Sequence, residues 1–482
     1  MANLAYYQRR TKIVCTIGPA SGSMAMLQRL IKSGMDVARL NLSHGTLQEH
    51  TDYINNIRTL HQSLGINIAI LIDLPGPKYR IARLGGGQSL LKKGSYLTLT
   101  TKDIAGDAAL LPVNLPTLTQ DVKAGDTVIL DDGAIELKVT DKDSAGVECR
   151  VTVGGLLKEG RGLVVPGMKI SSPFLTDQLK KDLLFAIKQR PDYLALSFVT
   201  SPEDIDSVKA ILRRHNTNIP IIAKIERGEA VSNFNSILDT CDGIMIARGD
   251  LGVEIPLEQV PLIQKDLIKK CNRAGKPVIT ATEMLESMIN AVRPTRAEAT
   301  DVANAIFDGT DAVMLSAETS IGKYPTQAVK MMAKIARAAE KVLPYEQILA
   351  ERRLWLAPET DELISYSACQ TAHSLRAAAI VAFTQSGSTA VRISHYRPSV
   401  PILALTPDNA VAGKLLLYWG VRPYLITAPA SLDKLFSFST KVCRDLGLAQ
   451  PGDLITIAAG VPIGQAGSTN LLKVERIEEK IR

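Results

Sequence analysis

Apolar residues over the first 74 positions fall into short dense runs, each followed by a stretch in which they recur every three or four residues. The runs at 12–18, 36–44 and 67–74 predict strands, and the stretches at 23–33 and 46–64 have helical spacing. Apolar strands followed by amphipathic helices predict a parallel sheet with helices laid over it. Pro75, Gly76 and Pro77 break the pattern after the third strand.

From 78 to about 165 the pattern changes to short alternating runs, such as 96–101, 127–140 and 146–154, separated by Gly and Asp turns. This predicts a small all-β insert without a helix. The earlier pattern then resumes. Strand-like runs at 193–199, 220–226, 243–247, 277–282 and 311–317 are each followed by a helical segment. Three strands before the insert and five after it make the eight units of an α/β (β/α)8 TIM barrel. A third region starts near 343, with a helix at 362–378 and strands at 379–384, 402–406, 422–427 and 454–459. The expected division is therefore 1–77 and 166–345 for a split barrel, 78–165 for an inserted β lid, and 346–482 for a C-terminal α/β domain. No sequence repeat or low-complexity tract is apparent.

Composition adds little until it is divided by region. The chain has 482 residues, 46% hydrophobic and 22% charged, which suits about three globular domains and excludes bulk disorder. The net charge of +7 divides into excesses of +3, +1, +1 and +2 over the four segments, so no region is strongly basic. With aromatics at 5%, a nucleic-acid partner loses its support. The six cysteines form no CxxC pair, so reduced thiols in a cytoplasmic protein are expected. No secretory leader is expected from the first ten residues, and no run of about 18 apolar residues predicts a membrane span.

A barrel carries its chemistry at the C-terminal ends of its strands. The second strand ends with Arg39, Asn41 and Ser43, which period-two alternation places on one face. One cation and two polar groups suit a phosphate or carboxylate. The third strand ends at Asp73. The fifth ends with Lys224 and Glu226 on a shared face, and the sixth with Gly249, Asp250 and the residues of a helix start. The seventh ends at Thr282 and Glu283, the eighth at Glu318. Glu226 and Asp250 offer two oxygen ligands from adjacent strands, and Mg²⁺ takes one or two carboxylates beside substrate oxygens. Lys224 beside such a metal would stabilise charge on a transferring phosphoryl group. These residues point to a metal-assisted enzyme acting on a small phosphorylated anion.

Segments 12–20, 39–45, 73–80, 130–133, 223–227, 245–254, 279–288, 293–298 and 314–319 resemble, in this order, the pyruvate kinase family over essentially the whole chain. The resemblance implies phosphoryl transfer from phosphoenolpyruvate to ADP, giving pyruvate and ATP. It implies Arg39 on the transferring phosphoryl, Mg²⁺ (or Mn²⁺) on Glu226 and Asp250, and Lys224 as the neutralising cation. Thr282 would relay a proton to the enolate, the backbone at Gly249 and Asp250 would cradle the substrate, and Asn41 and Arg80 would meet the nucleotide. A homotetramer is implied as well. The alternative is another Mg²⁺-dependent barrel enzyme of phosphoenolpyruvate or pyruvate, an aldolase or mutase.

The departures from the family pattern carry their own expectations. The usual potassium site uses groups corresponding to Asn41, Ser43 and Asp73 together with a threonine that is Leu74 here, and Lys78 replaces a family glutamate. An ammonium can stand in for a monovalent cation, so activity without potassium is expected. Glu283 stands where a glutamine is usual, and Val164 where an asparagine is usual. In the third region, Thr384, Gln385, Ser386, Gly387, Ser388 and Thr389 lie between a strand and a helix and form a candidate phosphate nest. By resemblance this loop would hold a phosphorylated allosteric effector, with 460–464 and 468–470 as its closing segment.

Overall fold

The computed structural model describes residues 9–144, 146–463 and 468–478. Eight parallel strands close into a barrel: Lys12–Thr16, Val37–Asn41, Ala69–Leu74, Tyr193–Leu196, Ile221–Ile225, Gly243–Ala247, Val278–Ala281 and Ala312–Leu315. Almost every residue in them is buried, because helices cover the outside and side chains fill the inside. The helices start where the sequence supplies caps. Ser23 caps Met24–Ser33, and Thr46 with Glu49 forms a capping box on Leu47–Leu64.

The third and fourth barrel strands are separated by the β insert. It holds a two-stranded sheet, Gln88–Leu91 against Gly155–Lys158, and a six-stranded sheet, around an apolar core of its own. The insert is not wholly free of helix: Leu118–Asp121 makes one turn. The third region is a five-stranded sheet in which four parallel strands are joined by an antiparallel edge strand, Thr469–Arg476. That last strand was not anticipated. Its alternating polar, half-exposed face reads as a solvated tail until its partner, Leu454–Gly460, is known.

The floor of the barrel has a regularity that the sequence pattern conceals. An aspartate stands immediately before the second, fourth, sixth and eighth strands, and each accepts the N–H of a residue in the preceding strand. Asp36 accepts from Ile13 at 2.8 Å, Asp192 from Ile70 at 2.7 Å, Asp242 from Ile221 at 2.8 Å and Asp311 from Val278 at 3.0 Å. The third region packs against this floor. Leu416 and Leu417 join the inward-facing barrel residues Val14, Val37 and Ala69 in one cluster. Arg422 reaches Asp36, which also pairs with Arg9 at 2.7 Å, and Lys12 donates to the Val421 carbonyl. Gly413 lies so close that a Cβ there would fall 1.8 Å from Asp192 Oδ1.

Candidate active site

Three of the predicted polar strand ends converge in a buried ion network at the opposite end of the barrel. Arg39 Nε donates to Asp73 Oδ2 at 2.8 Å, and its Nη1 to Thr16 Oγ1 at 2.8 Å. Lys224 Nζ donates to Ser197 Oγ at 2.7 Å and to Asp73 Oδ1 at 3.2 Å, and lies 2.9 Å from Glu226 Oε1. The other Glu226 oxygen accepts the Phe198 N–H at 2.7 Å. Burial alone would pull the Lys224 ammonium down, but the Asp73 and Glu226 carboxylates reverse this and hold its pKa above the usual value. Burial likewise pushes Asp73 up, and Lys224 with Arg39 brings it below the carboxylate range. Glu226 rises, first through burial, with the Asp250 charge adding to it against the pull of Lys224.

Asp250 sits on a short helix, Arg248–Glu254, that follows the sixth strand. It lines, with Glu226, Lys78 and Arg227, a cleft of about 580 Å³ whose other wall is the lid, through Asp132 and Gly162. Asp250 Oδ1 accepts from Lys78 Nζ at 2.9 Å. The ammonium of Lys78 is thus directed at Asp250, and it also lies 5.9 Å from the Phe198 ring centre. It does not pair with Asp73, whose oxygens are occupied by Arg39, Lys224 and Ser197.

Other expected residues are placed differently from the reading by alternation. The second strand stops at Asn41, so Ser43 lies in an exposed turn and its N–H donates to Asn41 Oδ1 at 3.2 Å. Gly249 N–H donates to Thr282 Oγ1 at 2.8 Å, and the Thr282 hydroxyl donates to the Ala281 carbonyl at 2.6 Å. Thr282 and Glu283 have φ of 68° and 53°, and Phe198 has 58°, so three non-glycine residues at the mouth hold left-handed backbone. Arg248 braces this turn, donating to the Thr282 carbonyl at 2.8 Å while paired with Asp301 at 2.7 Å. Glu283 is exposed, and Val164 lines the lid side of the cleft. Glu318 is structural: its carboxylate accepts the Leu285 and Ser316 N–H groups at 3.0 and 2.7 Å.

Beside this cleft lies a second, of about 670 Å³, lined by Lys78, Arg80, Lys158 and Arg161 with Asp132 and Glu159. Arg80 Nη1 donates to the Gly160 carbonyl at 2.8 Å. In the third region, the loop before the helix Ser388–His395 is folded on itself. Gly387 N–H donates to Thr384 Oγ1 at 2.9 Å, and Ser386 Oγ donates to Ser388 Oγ at 3.1 Å. Thr389 is buried against Thr469 Oγ1 at 2.6 Å, which turns its hydroxyl away from the loop opening, and Gln385 is half-buried. Gly464 of the expected closing segment lies outside the described residues.

Sequence reasoning missed Thr16, Ser197 and Arg248. Ser197 had a usable signal, since it is a polar residue directly after an apolar strand, as Glu226 is. Arg248 had none, because its role depends on a turn three elements away in contact order.

Two family profiles match the chain: one described as pyruvate kinase, barrel domain, over residues 8–329, and one as pyruvate kinase, alpha/beta domain, over 362–475. A pyruvate kinase from Geobacillus stearothermophilus is 47% identical over 477 residues, covering 98% of this chain and 81% of that protein. One from Staphylococcus haemolyticus is 46% identical over 476 residues, with the same coverage. Among solved structures, a pyruvate kinase from Cryptosporidium parvum superposes with a TM-score of 0.92 at 37% identity, covering 99% of this chain and 98% of that one. With both profiles, near-full-length identity and the same closed barrel with inserted and C-terminal sheets, the chain belongs to the pyruvate kinase family.

Proposed function

We propose that the cleft between barrel mouth and lid transfers the phosphoryl group of phosphoenolpyruvate to ADP. The observation that carries this is the placement of Lys224 Nζ among Asp73, Ser197 and Glu226, with Arg39 on one side and Asp250 on the other. A β-phosphate oxygen of ADP attacks phosphorus, and the bond to the enol oxygen breaks. Lys224 and Arg39 bear on the charge that spreads over the transferring oxygens. The enolate then takes a proton at its methylene carbon. Thr282 is the relay for that proton, through a water, since a threonine hydroxyl is too weak an acid to act alone. To serve, it exchanges its bond to the Ala281 carbonyl for one to the water.

Glu226 and Asp250 fit a magnesium ion. Two carboxylates face one cleft, and the Asp250 charge raises the Glu226 pKa, so an added cation relieves their repulsion. When bound, the ion would neutralise substrate carboxylate and phosphate oxygens. The cationic wall of Lys78, Arg80, Lys158 and Arg161 suits the ADP phosphates, and Asn41, at the end of the second strand, is a further candidate contact for the nucleotide. Closure of the lid, residues 78–165, would exclude water as a competing acceptor.

Potassium independence is part of the same reading. Leu74 supplies no side-chain oxygen, and Lys78 already delivers a fixed ammonium to the substrate end of Asp250. The loop from Thr384 to Thr389 is the candidate seat of a phosphorylated effector. A homotetramer is the expected assembly. The test is ADP phosphorylation by phosphoenolpyruvate with Mg²⁺, Na⁺, K⁺ and sugar phosphates varied independently. The expected outcome is Mg²⁺-dependent ATP formation with full rate in potassium-free buffer, and a sugar phosphate or nucleotide lowering the phosphoenolpyruvate requirement. Strong activation by potassium would remove the role given to Lys78.

A further inference from the structure

A second cluster of cations lies far from the mouth, where the third region meets the barrel floor. Asn272 and Asp311 from the barrel, and Arg352, His395, Arg397 and Tyr418 from the third region, line a small pocket. Arg352 and Arg397 are 6% and 5% exposed. Asp311 is the acid of this pocket and already holds three donors. Its Oδ1 accepts from Arg397 Nη2 at 2.9 Å and from the Trp419 N–H at 3.4 Å, and its Oδ2 accepts from the Val278 N–H.

The donors outnumber the acceptors. Arg397 directs one nitrogen, Nη2, at Asp311, at Asn272 Oδ1 and at the Gly309 carbonyl. Its Nε and Nη1 are buried without a hydrogen-bond partner, as is Arg352 Nη1. Arg352 forms no ion pair among the described residues and lies over the Trp355 ring, 5.5 Å from its centre. Two buried guanidinium groups therefore face one carboxylate at this junction. Burial and the neighbouring Arg397 pull Arg352 down to about 9, and burial with Arg352 pulls His395 down to about 4, as expected where positive charge is in excess. An unpaired buried charge is costly, and a water would satisfy donors without neutralising them.

We propose that this junction is a binding site for a halide-sized anion, chloride in solution, held by the free N–H groups of Arg352 and Arg397. The narrow part of the pocket admits about one water-sized sphere, which suits a monatomic anion. The anion would tie the helix Tyr345–Arg353 and the segment around Arg397 to the eighth barrel strand through Asp311.

Crystals of the full chain grown with sodium bromide test this directly. The expected result is an anomalous bromine peak between Arg352 and Arg397. A map in which that position is empty, with bromide only on the outer surface, overturns the proposal. In solution, the melting midpoint is compared in chloride and in gluconate, which is too large to enter, at equal ionic strength. Chloride should raise it by about 1–3 °C, and Arg352→Met should abolish that difference. An equal chloride effect in wild type and Arg352→Met overturns the proposal. Should that variant not fold, the bromide map on the wild-type chain still decides.

Discussion

The two ends of the barrel are built from the same eight strands, yet they use their polar residues in opposite ways. At the floor, Asp36, Asp192, Asp242 and Asp311 each hold a backbone N–H of the neighbouring strand, and the third region seals them with Leu416, Leu417 and Arg422. At the mouth, Arg39, Asp73, Lys224 and Glu226 are paired mainly with one another, and Glu226 faces a cleft together with Asp250. Bonds to backbone fasten a structure. Ion pairs between side chains can be exchanged for bonds to a ligand at little net cost, because each group keeps an opposite charge. The comparison assigns stability to the floor and chemistry to the mouth, as expected for this fold.

Substitutions can break that contrast. Glu226→Gln neutralises a proposed metal ligand and removes the carboxylate charge facing Asp250. Turnover should fall by about 10²-fold or more and need more Mg²⁺, while the denaturant midpoint moves little. Equal loss of stability and turnover would erase the distinction at the mouth. At the floor, Asp36→Ala takes the carboxylate from between Arg9 and Arg422 and removes the acceptor of the Ile13 N–H. Unfolding free energy should drop by about 3–5 kcal/mol, with turnover per folded molecule unchanged. Chemical denaturation alongside an active-site titration separates these outcomes.

The smallest effect is one of pH. Burial raises the Asp192 pKa to about 6, against the pull of the Ile70 N–H, Arg58 and Lys414. The folded chain therefore keeps this proton over a window, from about 4 to about 6, in which the unfolded chain has lost it. The stabilisation is full below the unfolded pKa and is lost as pH rises through the folded one. Asp192→Asn retains an acceptor for Ile70 but does not titrate. The stability of wild type relative to this variant should fall by about 1–2 kcal/mol across the window, a figure reduced for the partial exposure of the side chain. Urea midpoints of both proteins at pH 4 and pH 7 measure it, and a flat difference would show that Asp192 is ionised throughout.

The barrel was legible because apolar strand runs and helical spacing alternate without exception along it. Lys224 and Glu226 were legible as a pair because alternation is reliable inside a strand. Alternation failed where strands end: Ser43 lies past the last paired residue and enters a turn. Gly249 and Thr282 also bind each other, a contact between adjacent strand ends that no spacing encodes. Lys78 was expected beside Asp73 and instead pairs with Asp250, because Asp73 is already surrounded by its own partners. The floor aspartates were hidden for a different reason. Asp before a strand is also the commonest kind of turn, and its function as a brace depends on the register of the neighbouring strand.

The central claim is that the mouth, through Lys224, runs the phosphoryl transfer. Its most direct test is single-turnover transfer from phosphoenolpyruvate to ADP by Lys224→Met, on protein whose folded fraction is measured in the same sample. A loss of about 10³-fold or more per folded molecule, with binding of phosphoenolpyruvate nearly intact, is the predicted result. Transfer within tenfold of wild type by a fully folded variant would contradict it.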